Sequence, residues 1–113
     1  MSVNRVILVG NVGAKPTVKI VDGGMIATFS LATTEPAQTT SSGTVIPERT
    51  EWHRLVVWGQ KAEITDRYID KGCRLYVEGK LRTRTWQDNN ALKHSVTEIL
   101  VDKLEILQRP ASN

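Results

Sequence analysis

Three tryptophans, Trp52, Trp58 and Trp86, stand among basic side chains at a spacing of two. Arg54 lies between the first pair, and Lys80, Arg82 and Arg84 lead up to the third. In extended backbone, residues i and i+2 share a face. Trp52, Arg54, Val56 and Trp58 therefore fall together, opposite Glu51, His53, Leu55 and Val57. Further on, Arg74, Tyr76, Glu78, Lys80, Arg82, Arg84 and Trp86 share a second face. Their opposites, Leu75, Val77, Gly79, Leu81, Thr83 and Thr85, read as a core face. An indole offers its π-face to any planar ring, and guanidinium and ammonium groups attract anions. Joined on one surface, these groups suit a ligand that alternates flat rings with negative charges. An unpaired nucleic-acid strand is such a ligand. Stacking is worth about 1–3 kcal/mol per base whatever the base, and each neutralised phosphate releases counterions. A duplex hides its base faces, so the pattern favours single strands.

Charge distribution points the same way. The chain carries a formal +3, but residues 71–93 hold six basic and two acidic side chains, while the rest holds nine basic and ten acidic. The surplus is therefore local, as in a polyanion-binding strip. A charged run alone is as often a merely solvated face, and a lone strand tryptophan is usually partly buried packing. Three tryptophans on basic faces are harder to explain so. Other chemistries find little support. Cys73 is the single cysteine, which excludes an intrachain disulfide and a cysteine metal cluster, and fits a reducing cytosol. No third group orients Cys73 and His53 as a nucleophile and base. Residues 10–13 lack the Lys and Ser/Thr of a phosphate loop. No catalytic residue, metal or cofactor is expected. Residues 6–9 are too short for an export core, and no stretch reaches membrane-spanning length.

These residues need elements to hold them. Period-two patterning marks strands over 3–9, 18–21, 25–33, 51–58, 74–86 and 93–107. Residues 60–71 form the one helix candidate, with Ala62, Ile64, Tyr68 and Ile69 as its apolar face and Gly72 placed as a C-cap. Residues 35–47, rich in Thr, Ser, Pro and Gly, read as a long loop, and 87–90 as a hairpin turn. An all-β chain with one short helix between its third and fourth barrel strands has the inventory of a five-stranded Greek-key OB-fold barrel. One domain, residues 1–107, accounts for the chain, followed by a polar tail, 108–113, expected to fray.

The sequence also resembles the bacterial single-stranded DNA-binding proteins, tetrameric OB-fold proteins of replication, recombination and repair. The resemblance covers residues 3–107. It rests on residues 3–11, Leu31-Ala32-Thr33, Thr50-Glu51-Trp52-His53-Arg54, Tyr68, Lys71-Gly72, Tyr76-Val77-Glu78-Gly79, Leu81-Arg82-Thr83-Arg84 and Trp86. It implies base stacking by Trp52, Trp58, Trp86 and Tyr68, and DNA-path contacts by Arg5, Arg54, Lys71, Arg82 and Arg84, beside Lys80 from the basic ladder. It implies a homotetramer with His53 and Tyr76 at subunit interfaces, in the cytoplasm with the nucleoid, and no enzymatic activity. Two departures stand out. Ala37, after Pro36, occupies the place where many members carry a further loop tryptophan. The family continues into a flexible linker with an acidic tip, whereas this sequence stops at Asn113. Either the chain is a truncated or specialised short form, or recruitment of partner proteins works differently here than through such a tip. A primosome-type relative, an RNA-binding OB domain and a pure assembly module remain alternatives.

Overall fold

The computed structural model describes residues 1–110; the last residues of the expected tail, 111–113, lie outside them. The strands are β1 (Val6–Val12), β2 (Thr17–Val21), β3 (Gly24–Glu35), β4 (Gln38–Thr39), β5 (Val45–Ile46), β6 (Arg49–Trp58), β7 (Arg74–Gln87) and β8 (Lys93–Gln108), with helix α1 (Gln60–Tyr68) between β6 and β7. β1 and β2 lie end to end along β3. The main sheet therefore has five positions around a ring: β1/β2, β3, β6, β8 and β7, closed by β7 on β1. Every pairing is antiparallel except β6 with β8. This is the five-position barrel expected, with the helix where it was placed.

Inward side chains fill the ring. Ala27, Phe29 and Leu31 of β3, Leu55 and Val57 of β6, and Leu75 and Val77 of β7 are buried, joined by Val12 and Ile99. Each set has the spacing of two that puts apolar groups on one side of a strand. Ala62 and Ile69 close one end from α1, with Thr65, whose hydroxyl donates to the Lys61 carbonyl at 2.8 Å. Closure depends on two close approaches. A Cβ on Gly10 would collide with the Ala32 carbonyl where β1 meets β3, and one on Gly79 would collide with the Leu100 carbonyl where β7 meets β8. Beside Gly79 the ladder slips, so that Glu78 faces Lys103 but Gly79 faces Val101. Asp102 is the extra residue of this bulge, and β8 changes parity there. Ile99 and Val101 pack against the core on one side of it, Leu104 and Ile106 on the other.

Several sequence expectations are corrected. The core face of β7 ends at Gly79: Leu81, Thr83 and Thr85 are exposed, because β1 stops pairing at Gly79 and β7 runs on with β8 alone as a projecting hairpin. Residues 35–47 are not one loop. β3 and β6 stay paired out to Glu35 and Arg49, and β4 and β5 form a small hairpin at the end. The helix stops at Tyr68, where the Ile69 N–H reaches the Thr65 carbonyl. Gly72, with φ 91°, instead belongs to the next turn, closed by the Cys73 N–H on Asp70. Ile64 and Tyr68 point outward, since the buried side of α1 is Ala62, Thr65 and Ile69. β1 begins at Val6, three residues later than expected. β8 extends through Gln108, the first residue of the expected tail.

Candidate nucleic-acid interface

The register carries the alternate residues of β6 and β7 onto one outer surface. Trp52, Arg54, Val56 and Trp58 sit opposite Ala32, Ser30, Thr28 and Ile26 of β3. β2 continues that surface with Thr17 and Lys19. On the other side, Lys80, Arg82, Arg84 and Trp86 of β7 sit opposite Leu100, Glu98, Val96 and His94 of β8. Between the two arms lies a groove of about 300 Å³, lined by Thr17, Lys19, Ile26, Thr28, Arg54, Trp58, Arg82 and Arg84 over buried Val56 and Glu98.

The tryptophans are not core residues. Trp52, Trp58 and Trp86 remain 60%, 51% and 46% exposed, far from the burial usual for indole. The Trp52 ring lies against Gly13, where a Cβ would come within 2.9 Å of Cη2. Gly13, which the sequence does not single out as a site residue, thus packs directly against an indole. Trp86 stacks on His94 across the β7–β8 ladder, with centroids 5.5 Å apart and planes 21° from parallel. The Arg84 guanidinium carbon also lies 5.5 Å from the Trp86 centroid, in reach of a cation–π contact.

Glu98 is the residue that sequence reasoning missed. It is 2% exposed, and its carboxylate accepts from Arg54 Nε at 3.1 Å and from Arg84 Nε at 2.6 Å. Burial alone would push this carboxyl up. The Arg84 and Arg54 guanidiniums overcome that and hold it below the usual carboxylate range. Both arginines keep about half their side chain exposed, so donors remain for an outside anion. One carboxylate therefore ties the two arms of the groove together and leaves the trio one positive charge. Its signal in the sequence is weak: a single acid in the otherwise neutral run 95–101.

The remaining expected site residues are dispersed. Lys80 is exposed on the same face as Arg82. Arg5 pairs with Glu78 beside Tyr76, away from the groove, while the Asn4 side chain both donates to and accepts from the Leu81 backbone at 2.9 Å. Tyr68 and Lys71 lie at and beyond the C-terminal end of α1, outside the groove lining, and the Arg109 guanidinium carbon stands 5.6 Å from the Tyr68 ring centroid. His53 is half-buried, with Nε2 at 2.8 Å from the Thr33 hydroxyl. Tyr76 is half-buried, and burial with the neighbouring Glu78 pushes its phenol up. Among the described residues no group of three or more His, Cys, Asp or Glu could hold a metal, and no helix is long and apolar enough to cross a membrane.

A closed five-position barrel with an aromatic and cationic groove on its outer face defines an OB-fold module built for extended polymers. Comparison with known proteins narrows the class. The model of the Single-strand binding protein family matches residues 3–107. A single-stranded DNA-binding protein of Bacteroides thetaiotaomicron is 52% identical over 114 residues, which span all of this chain and 71% of that protein. Among solved structures, a Plasmodium falciparum SSB complex with ssDNA superposes with a TM-score of 0.84 at 38% identity, covering 96% of this chain and 97% of the other. The chain belongs to the Single-strand binding protein family.

Proposed function

We propose that this chain binds single-stranded DNA without sequence preference, stacking bases on Trp52, Trp58 and Trp86 and meeting phosphates with Lys80, Arg82, Arg84 and Arg54. The observation that carries the reading is a cation-lined groove with half-exposed Trp58 in its lining, and half-exposed Trp52 and Trp86 on the same alternation of β6 and β7 beyond it. Every base has a π-face, so this surface accepts any sequence. The superposed complex, described as holding ssDNA, supports the same ligand. The role is stoichiometric: single strands exposed in replication, recombination and repair are covered and kept from re-pairing, in the cytoplasm with the nucleoid. Arg5, Tyr68 and Lys71, which lie beyond the groove, are assigned to a longer path of the strand around the subunit.

The functional unit in this proposal is a homotetramer, with His53 and Tyr76 at subunit contacts. Support comes from an apolar strip on the outer side of β1, where Ile7 and Val9 are 54% and 41% exposed opposite Glu78 and half-buried Tyr76. The test is a titration with oligo-dT at low salt, followed by tryptophan emission and by mass in solution. Strong quenching at a tetramer's mass is expected. Absence of quenching refutes the stacking surface, and tighter binding of oligo-rU than oligo-dT would assign the groove to RNA.

A further inference from the structure

Resting on the single-strand-binding reading above, we propose that His94, held by Asp88, is a further DNA-contacting residue that backs the Trp86 ring and brings a titratable charge to the phosphate beside it. The β7–β8 turn is organised by one carboxylate. Oδ1 of Asp88 accepts the N–H of Asn90 at 2.8 Å and of Leu92 at 3.0 Å, while Oδ2 lies 2.7 Å from His94 Nε2. The backbone closes the same turn, Asp88 N–H on the Leu92 carbonyl and Ala91 N–H on the Asp88 carbonyl. Ala91 is held at φ 62°, a left-handed conformation that a non-glycine residue rarely takes. The imidazole so fixed is the ring stacked on Trp86. His94 is therefore set by the turn, and Trp86 by His94.

The charges around the ring define what its protonation does. Asp88 faces it from the turn, Arg84 comes from β7 already paired with Glu98, and Lys93 precedes it on β8. His94, Trp86 and Lys93 line one open hollow at the hairpin tip. With a neutral imidazole, the Asp88 carboxylate stands uncompensated beside the path of a polyanion. With imidazolium, the pair is neutral and the tip is one unit more positive. Histidine changes charge between about pH 5 and 8. The His94 ring, with the Leu92 and Asn90 N–H groups, holds the Asp88 carboxyl below its usual range, so that carboxylate stays charged throughout.

The experiment is an oligo-dT titration of the full chain over a salt series at pH 8 and pH 5.5, for wild type, His94→Phe and His94→Ala, with each variant's melting curve recorded. In wild type, log K against log[salt] steepens by about 0.7 at the lower pH, the increment of one extra phosphate on a single strand. His94→Phe keeps a ring under Trp86 and matches wild type at pH 8, but lacks the steepening. His94→Ala binds more weakly at both pH values. The same pH-dependent steepening in His94→Phe overturns the inference, as does wild-type behaviour of a folded His94→Ala. If wild type fails to bind oligo-dT at either pH, the single-strand-binding reading itself is what falls.

Discussion

Replacing Glu98 by Gln separates the groove's two demands, stability and charge. The carboxylate is buried, but Arg54 and Arg84 are 48% and 46% exposed, so water screens the pairs. The loss therefore falls below the 3–5 kcal/mol of a fully buried broken pair. About 1–3 kcal/mol is expected, as for a buried hydrogen-bonding group left with a poorer partner, and the melting temperature should fall by several degrees. DNA binding should move the other way at low salt. The trio of Arg54, Glu98 and Arg84 passes from one net positive charge to two. One further phosphate contact steepens the single-strand salt slope by about 0.7, so a tenfold reduction in salt raises affinity about fivefold more than in wild type. Thermal melts and oligo-dT titrations at several salt concentrations read both quantities. A lowered melting temperature with an unchanged salt slope would refute the reasoning, because the freed guanidiniums would then be meeting no phosphate. The pH dependence has a definite sign. Glu98 is held below the ordinary carboxylate range when folded, so its contribution is complete above the unfolded carboxylate's pKa of about 4.3. It is lost as pH falls through the lower folded value. Glu98→Gln should flatten the melting-temperature profile in that acid window.

Three other perturbations test the same surface. Trp52→Ala and Trp86→Ala should each weaken oligo-dT binding by roughly 1–3 kcal/mol at unchanged salt slope; wild-type affinity in both removes the stacking platform. Among the described residues Arg82 has no carboxylate within ion-pairing distance, whereas Arg84 shares Glu98. Arg82→Ala should therefore flatten the salt slope without loss of stability, while Arg84→Ala costs stability as well, as melting curves would read. Gly13→Ala places a methyl in the space of the Trp52 indole. Its quenching by oligo-dT should fall toward that of Trp52→Ala with a nearly unchanged melting temperature.

How much of this was readable beforehand follows from the range of the forces involved. Alternation is a local property of extended backbone. Trp52, Arg54 and Trp58 had to share one side of β6, and Lys80, Arg82, Arg84 and Trp86 one side of β7, whatever the rest of the chain did. The basic surplus over 71–93 and the apolar runs that become the barrel wall were equally legible. Which sides are covered is not local. Leu81, Thr83 and Thr85 continue the parity of buried Leu75 and Val77, yet they face water because β1 has ended beside them. The parity change at Asp102 belongs to the ladder between β7 and β8 and leaves no trace in period or composition. Above all, β6 and β8 become neighbours only through the parallel pairing that closes the ring. That pairing makes a single buried acid, forty-four residues from Arg54, the tie between the two arms of the groove. Side-chain chemistry and strand period were written in the order of the residues; the meeting of Arg54, Glu98 and Arg84 was decided by closure of the barrel, since contact between distant segments exists only once the chain is folded.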